Sequence, residues 1–167
     1  MSAKFYQLTN LPPLPQEIVA DGLTDGFEYT ASPYAYAKRA TLFYDTEFYK
    51  LLKNQFGEVG CKYLKNAPNS FYDWHTDKIR NCALNWIIST NPNAKTFYRS
   101  NNHNKFFWDL EEVIYNIDCP TLLDTKQEHC VFNNHFDYRT ILSVTILNNH
   151  LYDDVLEFLK SVNIEKY

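Results

Sequence analysis

The chemistry in this chain is most concentrated at His75 and Asp77, two residues apart in the run Phe71-Tyr-Asp-Trp-His-Thr-Asp77. Aromatic and other strand-compatible residues surround them. In a β-strand residues i and i+2 point to one face, about 7 Å apart. An imidazole and a carboxylate placed that way can converge on a single point. They are two of the three ligands of a facial triad, two histidines and a carboxylate, which holds iron(II) and leaves coordination positions open. The pair alone is a common tripeptide pattern, so its weight depends on the rest of the chain.

The third ligand is expected to be a downstream histidine on a strand that meets the first across a barrel. His103 falls in an Asn-rich loop and His150 just before the last helix, and both read as solvent-exposed. His129 and His135 remain. Ten residues beyond His129 stands Arg139, whereas ten beyond His135 stands the uncharged Thr145. A dicarboxylate such as 2-oxoglutarate, the usual companion of this triad, chelates the metal through its keto-acid end. Its far carboxylate then needs a buried cation, and a bidentate guanidinium fits a carboxylate better than an ammonium does. Arg139 and Ser143 fall on one side of a strand by alternation, a guanidinium and a hydroxyl aimed at one spot. That selects His129.

Short strands must position these groups. Residues 1–14, ending in Leu-Pro-Pro-Leu-Pro, read as an extended arm. Gln16 to Leu23 reads as a short helix, and residues 27–44, with Tyr29, Tyr34, Tyr36 and Tyr44, as loop or strand whose tyrosines pack with wet hydroxyls. Asp45 to Phe56 is a helix with Asp45 as N-cap, a stripe of Phe48, Leu51, Leu52 and Phe56, and Gly57 as its stop. Beyond it the hydrophobic period changes from 3.6 to 2. Strands are expected at Cys61–Leu64, Ser70–Asp77, Cys82–Ile88, Thr96–Arg99, Thr121–Asp124, Cys130–Phe132 and Thr140–Leu147, with turns at Asn66-Ala-Pro-Asn69 and Asn91-Pro92-Asn93. Phe106-Phe107-Trp108 and Leu110–Tyr115 are ambiguous. A helix from about Leu151 to Val162 closes the chain. Seven or eight short, evenly spaced strands suggest a sandwich or barrel.

At 167 residues the chain is expected to form one domain, with an N-terminal arm and helices over 1–58, a β core over 59–148 and a C-terminal helix over 149–167. A net charge of −4 argues against a nucleic-acid backbone as partner. No apolar run is long enough to span a membrane, and Met1 to Leu14 lacks a signal-peptide layout. Cys61, Cys82, Cys119 and Cys130 are scattered and read as free thiols of a reducing, cytoplasmic compartment.

His75-x-Asp77, His129, then Arg139 and Ser143 together resemble the iron(II)- and 2-oxoglutarate-dependent oxygenases. More narrowly, Leu122-Leu-Asp-Thr-Lys-Gln-Glu-His129-Cys-Val-Phe-Asn133 with Tyr138-Arg139-Thr-Ile-Leu142-Ser143 is similar to the aspartyl/asparaginyl hydroxylase-like group of small oxygenases. The likeness covers roughly residues 60–147. Aspartyl β-hydroxylases proper lack the carboxylate ligand, whereas Asp77 is present, so the metal set is that of the wider superfamily and the narrower group's substrate does not carry over. The resemblance implies a double-stranded β-helix, a cupin-like jelly-roll barrel with flanking helices, holding metal on His75, Asp77 and His129. It also implies a dioxygenase that hydroxylates an unidentified peptide or small molecule with release of succinate and carbon dioxide.

Arg80, Cys82 and Leu84 alternate onto one strand face, so Arg80 either helps hold a cosubstrate or substrate carboxylate or is a surface arginine. Tyr63 is a further hydroxyl for the cosubstrate, and Asn85 and Asn133 are weaker polar candidates. Trp74 reads as packing and Lys78 as a solvated charge. Two other readings stay open: a cupin-like metal-binding or structural module without turnover, and a zinc hydrolase using Asp73, on the ligand face, as base. Arg139 has no role in the second.

Overall fold

The structure, a computed structural model, describes residues 4–30, 35–89, 94–101 and 108–164. Eleven strands and four helices are formed by these residues. Strands β1 (Phe5–Gln7), β2 (Glu28–Tyr29), β3 (Ala35–Arg39), β4 (Val59–Asn66), β6 (Cys82–Ile87), β9 (Thr121–Asp124) and β11 (Arg139–Ile146) build the larger sheet, in the order β1-β9-β6-β11-β4-β3-β2. The smaller sheet runs β5-β10-β7-β8, from β5 (Ser70–His75), β10 (His129–Asn133), β7 (Ala94–Asn101) and β8 (Trp108–Glu112). Neighbouring strands are antiparallel throughout. This is a jelly-roll double-stranded β-helix, although among the described residues no ladder joins the two sheets into the closed barrel that was expected.

The helices are α1 (Gln16–Leu23), α2 (Thr41–Tyr44), α3 (Glu47–Phe56) and α4 (Tyr152–Ser161). Helix α3 starts one residue later than read from the sequence, because the Thr46 hydroxyl, not Asp45, accepts the capping N–H of Tyr49. Its core face also takes Tyr49 in place of Leu51, which is 37 % exposed. The N-terminal arm is extended as expected, with β1 paired to β9 and Leu8, Leu11 and Leu14 buried. His103, Tyr34, Asn91-Pro92-Asn93 and Phe106-Phe107 lie outside the described residues.

The main core fills the space between the larger sheet and the helices. Ile18, Phe43, Phe48, Leu52, Val155 and Leu159 meet Tyr63, Leu84, Trp86, Leu142 and Val144 there. Alternation along β11 explains why the whole strand is nearly inaccessible: Leu142, Val144 and Ile146 enter this core, while Arg139, Ile141 and Ser143 line the space between the sheets. A smaller apolar cluster, Tyr98, Val113 and Leu123, lies apart from this core, and Leu64, Ala83, Leu123, Val131 and Ile141 line the inter-sheet cavity. The buried polar groups of that cavity include Asn85, Thr96, His129, Arg139 and Ser143. Buried polar side chains between the sheets mark this space as the candidate site.

Candidate metal centre

Strands β5 and β10 are hydrogen-bonded neighbours in one sheet, and their register sets His129 opposite His75. The two imidazole centroids lie 4.3 Å apart. The histidines therefore meet side by side on adjacent strands, not across a barrel. Asp77 corrects the strand argument too. Strand β5 ends at His75, and Asp77 reaches the site from the following bend, where its N–H donates to the Thr125 carbonyl at 2.9 Å. Asp77 Oδ1 stands 4.0 Å from His75 Nε2, and one ligand atom from each of His75, Asp77 and His129 lies within 4.8 Å of the others.

Both imidazoles are oriented in the same way. His75 Nδ1 lies 2.6 Å from the Asp73 carbonyl and His129 Nδ1 lies 2.9 Å from the Gln127 carbonyl. A carbonyl accepts, so in each ring Nδ1 carries the proton and Nε2 keeps its lone pair for a metal. Burial holds the His129 pKa below its ordinary value, with the neighbouring His75 acting in the same direction. A neutral imidazole is the ligand form.

A bulge sits beside these ligands. His129 opposes His75 and Val131 opposes Tyr72, so three steps on β5 match two on β10. Tyr72 and His75 consequently both line the cavity, with ring centroids 4.2 Å apart. Asp73 is thrown outward and is exposed, its carboxylate accepting the N–H of Trp74. It does not share the ligand face, which removes the base on which a zinc hydrolase would depend. Trp74 packs under the Arg99 guanidinium, 4.7 Å from the ring centroid.

The cavity that contains the three ligands measures about 280 Å³ and has Arg139 in its wall. Arg139 is 2 % exposed. Its Nη1 donates to Asn66 Oδ1 at 3.4 Å and its Nη2 to Thr96 Oγ1 at 3.2 Å, while the buried Nε finds no acceptor. The guanidinium lies 5.2 Å from the centroid of the Tyr115 ring. Among the described residues no carboxylate forms an ion pair with it. An uncompensated buried cation is costly, so this is a site that an anion would complete. Ser143 stands on the same face of β11, and the buried Asn85 Oδ1 beside it also lacks a donor.

Arg80 differs from expectation. Strand β6 begins only at Cys82, and Cys82 and Leu84 enter the helix-side core. Arg80 precedes the strand and turns into the cavity instead, sharing no face with them. Its Nε donates to Asp77 Oδ2 at 2.5 Å, and its Nη1 to Thr145 Oγ1 at 2.9 Å and Ser143 Oγ at 3.3 Å. Tyr63 is misplaced by the sequence reading. It stands on the helix side of β4, fully buried, with its hydroxyl donating to the Ile18 carbonyl at 2.8 Å. It cannot reach a ligand between the sheets.

Asn133 is likewise structural, its amide donating to the carbonyls of Asn66, Ala67 and Asp137. His135 lies in the loop after β10, where its Nδ1 accepts from the Asp137 N–H. His150 is half-buried rather than exposed, bonded to the Phe56 carbonyl at 3.1 Å. Asn66, Thr96, Tyr115 and Tyr72 are the site residues that sequence reasoning missed. The first three are grouped only by register and strand order, which no local pattern encodes.

No family model matches the chain, and no curated protein matches it by sequence. Solved structures do match. A prolyl-4-hydroxylase of Pseudomonas putida superposes with a TM-score of 0.60 at 13 % identity, covering 89 % of this chain and 95 % of its own. A Trichoplax adhaerens prolyl hydroxylase, in complex with a peptide fragment of the hypoxia-inducible-factor oxygen degradation domain, gives a TM-score of 0.60 at 10 % identity, over 97 % and 88 % of the two chains. HygX of Streptomyces hygroscopicus, with nickel, 2-oxoglutarate and hygromycin B bound, gives 0.57 at 9 % identity, over 89 % and 85 %. The fold is that of the 2-oxoglutarate- and iron(II)-dependent oxygenases. No described helix is long and apolar enough to cross a membrane.

Proposed function

We propose that this protein is an iron(II)- and 2-oxoglutarate-dependent dioxygenase, a hydroxylase that converts 2-oxoglutarate and dioxygen to succinate and carbon dioxide as it oxidises a peptide or small-molecule substrate. The observation that carries this reading is Arg139, a buried guanidinium without an acidic partner in the cavity that also holds His75, Asp77 and His129. A metal site alone fits many functions. A metal site facing an unneutralised cation fits a dianionic cosubstrate that chelates at one end and pairs at the other.

Two imidazoles and one carboxylate suit iron(II) and leave positions open. Bound there, iron supplies the oxidative chemistry; the chain supplies ligands, orientation and exclusion of water. His75 and His129 present Nε2 because backbone carbonyls hold their Nδ1 protons. Arg139 takes the far carboxylate, with the Ser143 hydroxyl beside it. The Trichoplax neighbour holds a peptide fragment and HygX holds hygromycin B, so this fold accommodates a peptide or a small molecule.

The test is oxygen-dependent conversion of 2-oxoglutarate to succinate by the iron-loaded protein, measured without added substrate and with His129→Ala and His135→Ala as controls. Succinate formation by the parent and by His135→Ala, abolished in His129→Ala, is expected. Folded, iron-loaded protein that forms no succinate in oxygen would instead favour a cupin-like module without turnover.

A further inference from the structure

We infer that Arg80 is a positioning residue that holds the metal-binding carboxylate of Asp77 to one-oxygen coordination; this rests on the metal-site reading above. Two oxygens of Asp77 face different partners. Oδ1 looks toward His75 Nε2, 4.0 Å away, while Oδ2 accepts from Arg80 Nε at 2.5 Å. An ion that drew on both oxygens would have to compete with that charge-assisted bond for Oδ2. The facial arrangement depends on this choice. A two-oxygen carboxylate would fill a position otherwise open to cosubstrate or dioxygen.

The guanidinium is itself anchored, so it acts as a strut and not as a loose counter-ion. Its Nη1 bonds Thr145 and Ser143 on β11, and its backbone carbonyl accepts from the Thr125 hydroxyl at 3.1 Å. The bend that carries Asp77 is tied to the same turn, through the Asp77 N–H to the Thr125 carbonyl and Lys126 Nζ to the Asp77 carbonyl at 2.9 Å. Arg80 therefore spans from the larger sheet to the ligand bend. Both ends of the span are tied by hydrogen bonds of the chain itself.

Two effects of Arg80 on an ion oppose each other. A nearby positive charge repels a divalent cation, so if charge alone mattered its removal would tighten binding. If the strut orients Asp77, removal weakens binding, by roughly ten- to hundredfold for an outer-shell partner. Manganese(II) affinity of the whole chain, followed by the electron paramagnetic resonance of the free ion, separates the two. Broadening of the bound signal in oxygen-17 water counts exchangeable water ligands.

Arg80→Ala is expected to weaken manganese(II) binding within that range and to reduce the water ligands from three to two, as the freed Oδ2 closes on the metal. Thr145→Val removes the shorter of the strut's two side-chain anchors on β11 without touching the ion pair. It keeps the question answerable if Arg80→Ala does not fold, and a smaller loss of affinity is expected. Tighter or unchanged manganese(II) binding in the folded variants overturns the inference. Unchanged metal affinity with weakened 2-oxoglutarate binding in Arg80→Ala also overturns it, and makes Arg80 a direct cosubstrate contact. Parent protein that binds no manganese(II) at all refutes the metal site itself, a separate outcome.

Discussion

Arg139 and His129 are single residues whose surroundings decide what they can do. The guanidinium is buried with two long hydrogen bonds, to Asn66 and Thr96, and an Nε that finds no acceptor. Lysine could keep the charge but not the forked geometry. Arg139→Lys is therefore expected to leave metal binding intact and to weaken 2-oxoglutarate roughly ten- to hundredfold, the cost of about 1.5–3 kcal/mol for a hydrogen bond to a charged group. Calorimetric titration of metal-loaded variants checks this; an unchanged 2-oxoglutarate affinity would remove Arg139 from the cosubstrate site. Spacing and the resemblance it carries single out His75, Asp77, His129, Arg139 and Ser143 in the sequence, and all five line one cavity. The Asp77–Arg80 pair and the Asn66 and Thr96 acceptors were not legible there. They depend on where a strand stops or on which strand lies alongside, and neither is written locally.

Among the elements, β5 shows most clearly where pattern reasoning stops. Period-2 alternation places Asp73 with His75, but the bulge opposite His129 shifts the parity and exchanges Asp73 for Tyr72. Alternation was reliable on β11, which is regular over its full length against β4 and from Ile141 to Thr145 against β6. It misled on β4 because nothing near Tyr63 says which face of the strand the helices cover. The same strand fixes α1. A Cβ on Gly22 would lie 2.8 Å from Tyr63 Cε1, in a ring that is fully buried and tethered to Ile18. Helix propensity alone would favour alanine by about 1 kcal/mol, whereas overpacking a fixed core costs about 1–3 kcal/mol. Gly22→Ala is expected to lower the melting temperature by several degrees without altering metal affinity, since Tyr63 faces away from the cavity. A rise in melting temperature would show that α1 shifts freely on the sheet.

At the scale of the whole molecule, two cores divide the work. The apolar one between the larger sheet and the helices stabilises the fold and includes Cys61 and Cys82, and all four cysteines are buried free thiols. The inter-sheet space carries the buried polar groups and holds the candidate ligands, Arg139 and Ser143. Strand count and even spacing were enough to suggest a sandwich or barrel. The allocation of strands to a larger and a smaller sheet was not readable, because it rests on long-range pairings such as β1 with β9 and β4 with β11. What the architecture achieves is to bring residues 75, 77, 129 and 139 to one cavity from three separate stretches of chain. Anaerobic addition of iron(II) and 2-oxoglutarate tests that convergence most directly, through the weak visible charge-transfer band of the chelate. The band is expected with the parent protein and with His135→Ala, and is expected to vanish in His129→Ala. Folded, iron-loaded protein without the band, or a band that survives His129→Ala, would contradict the account.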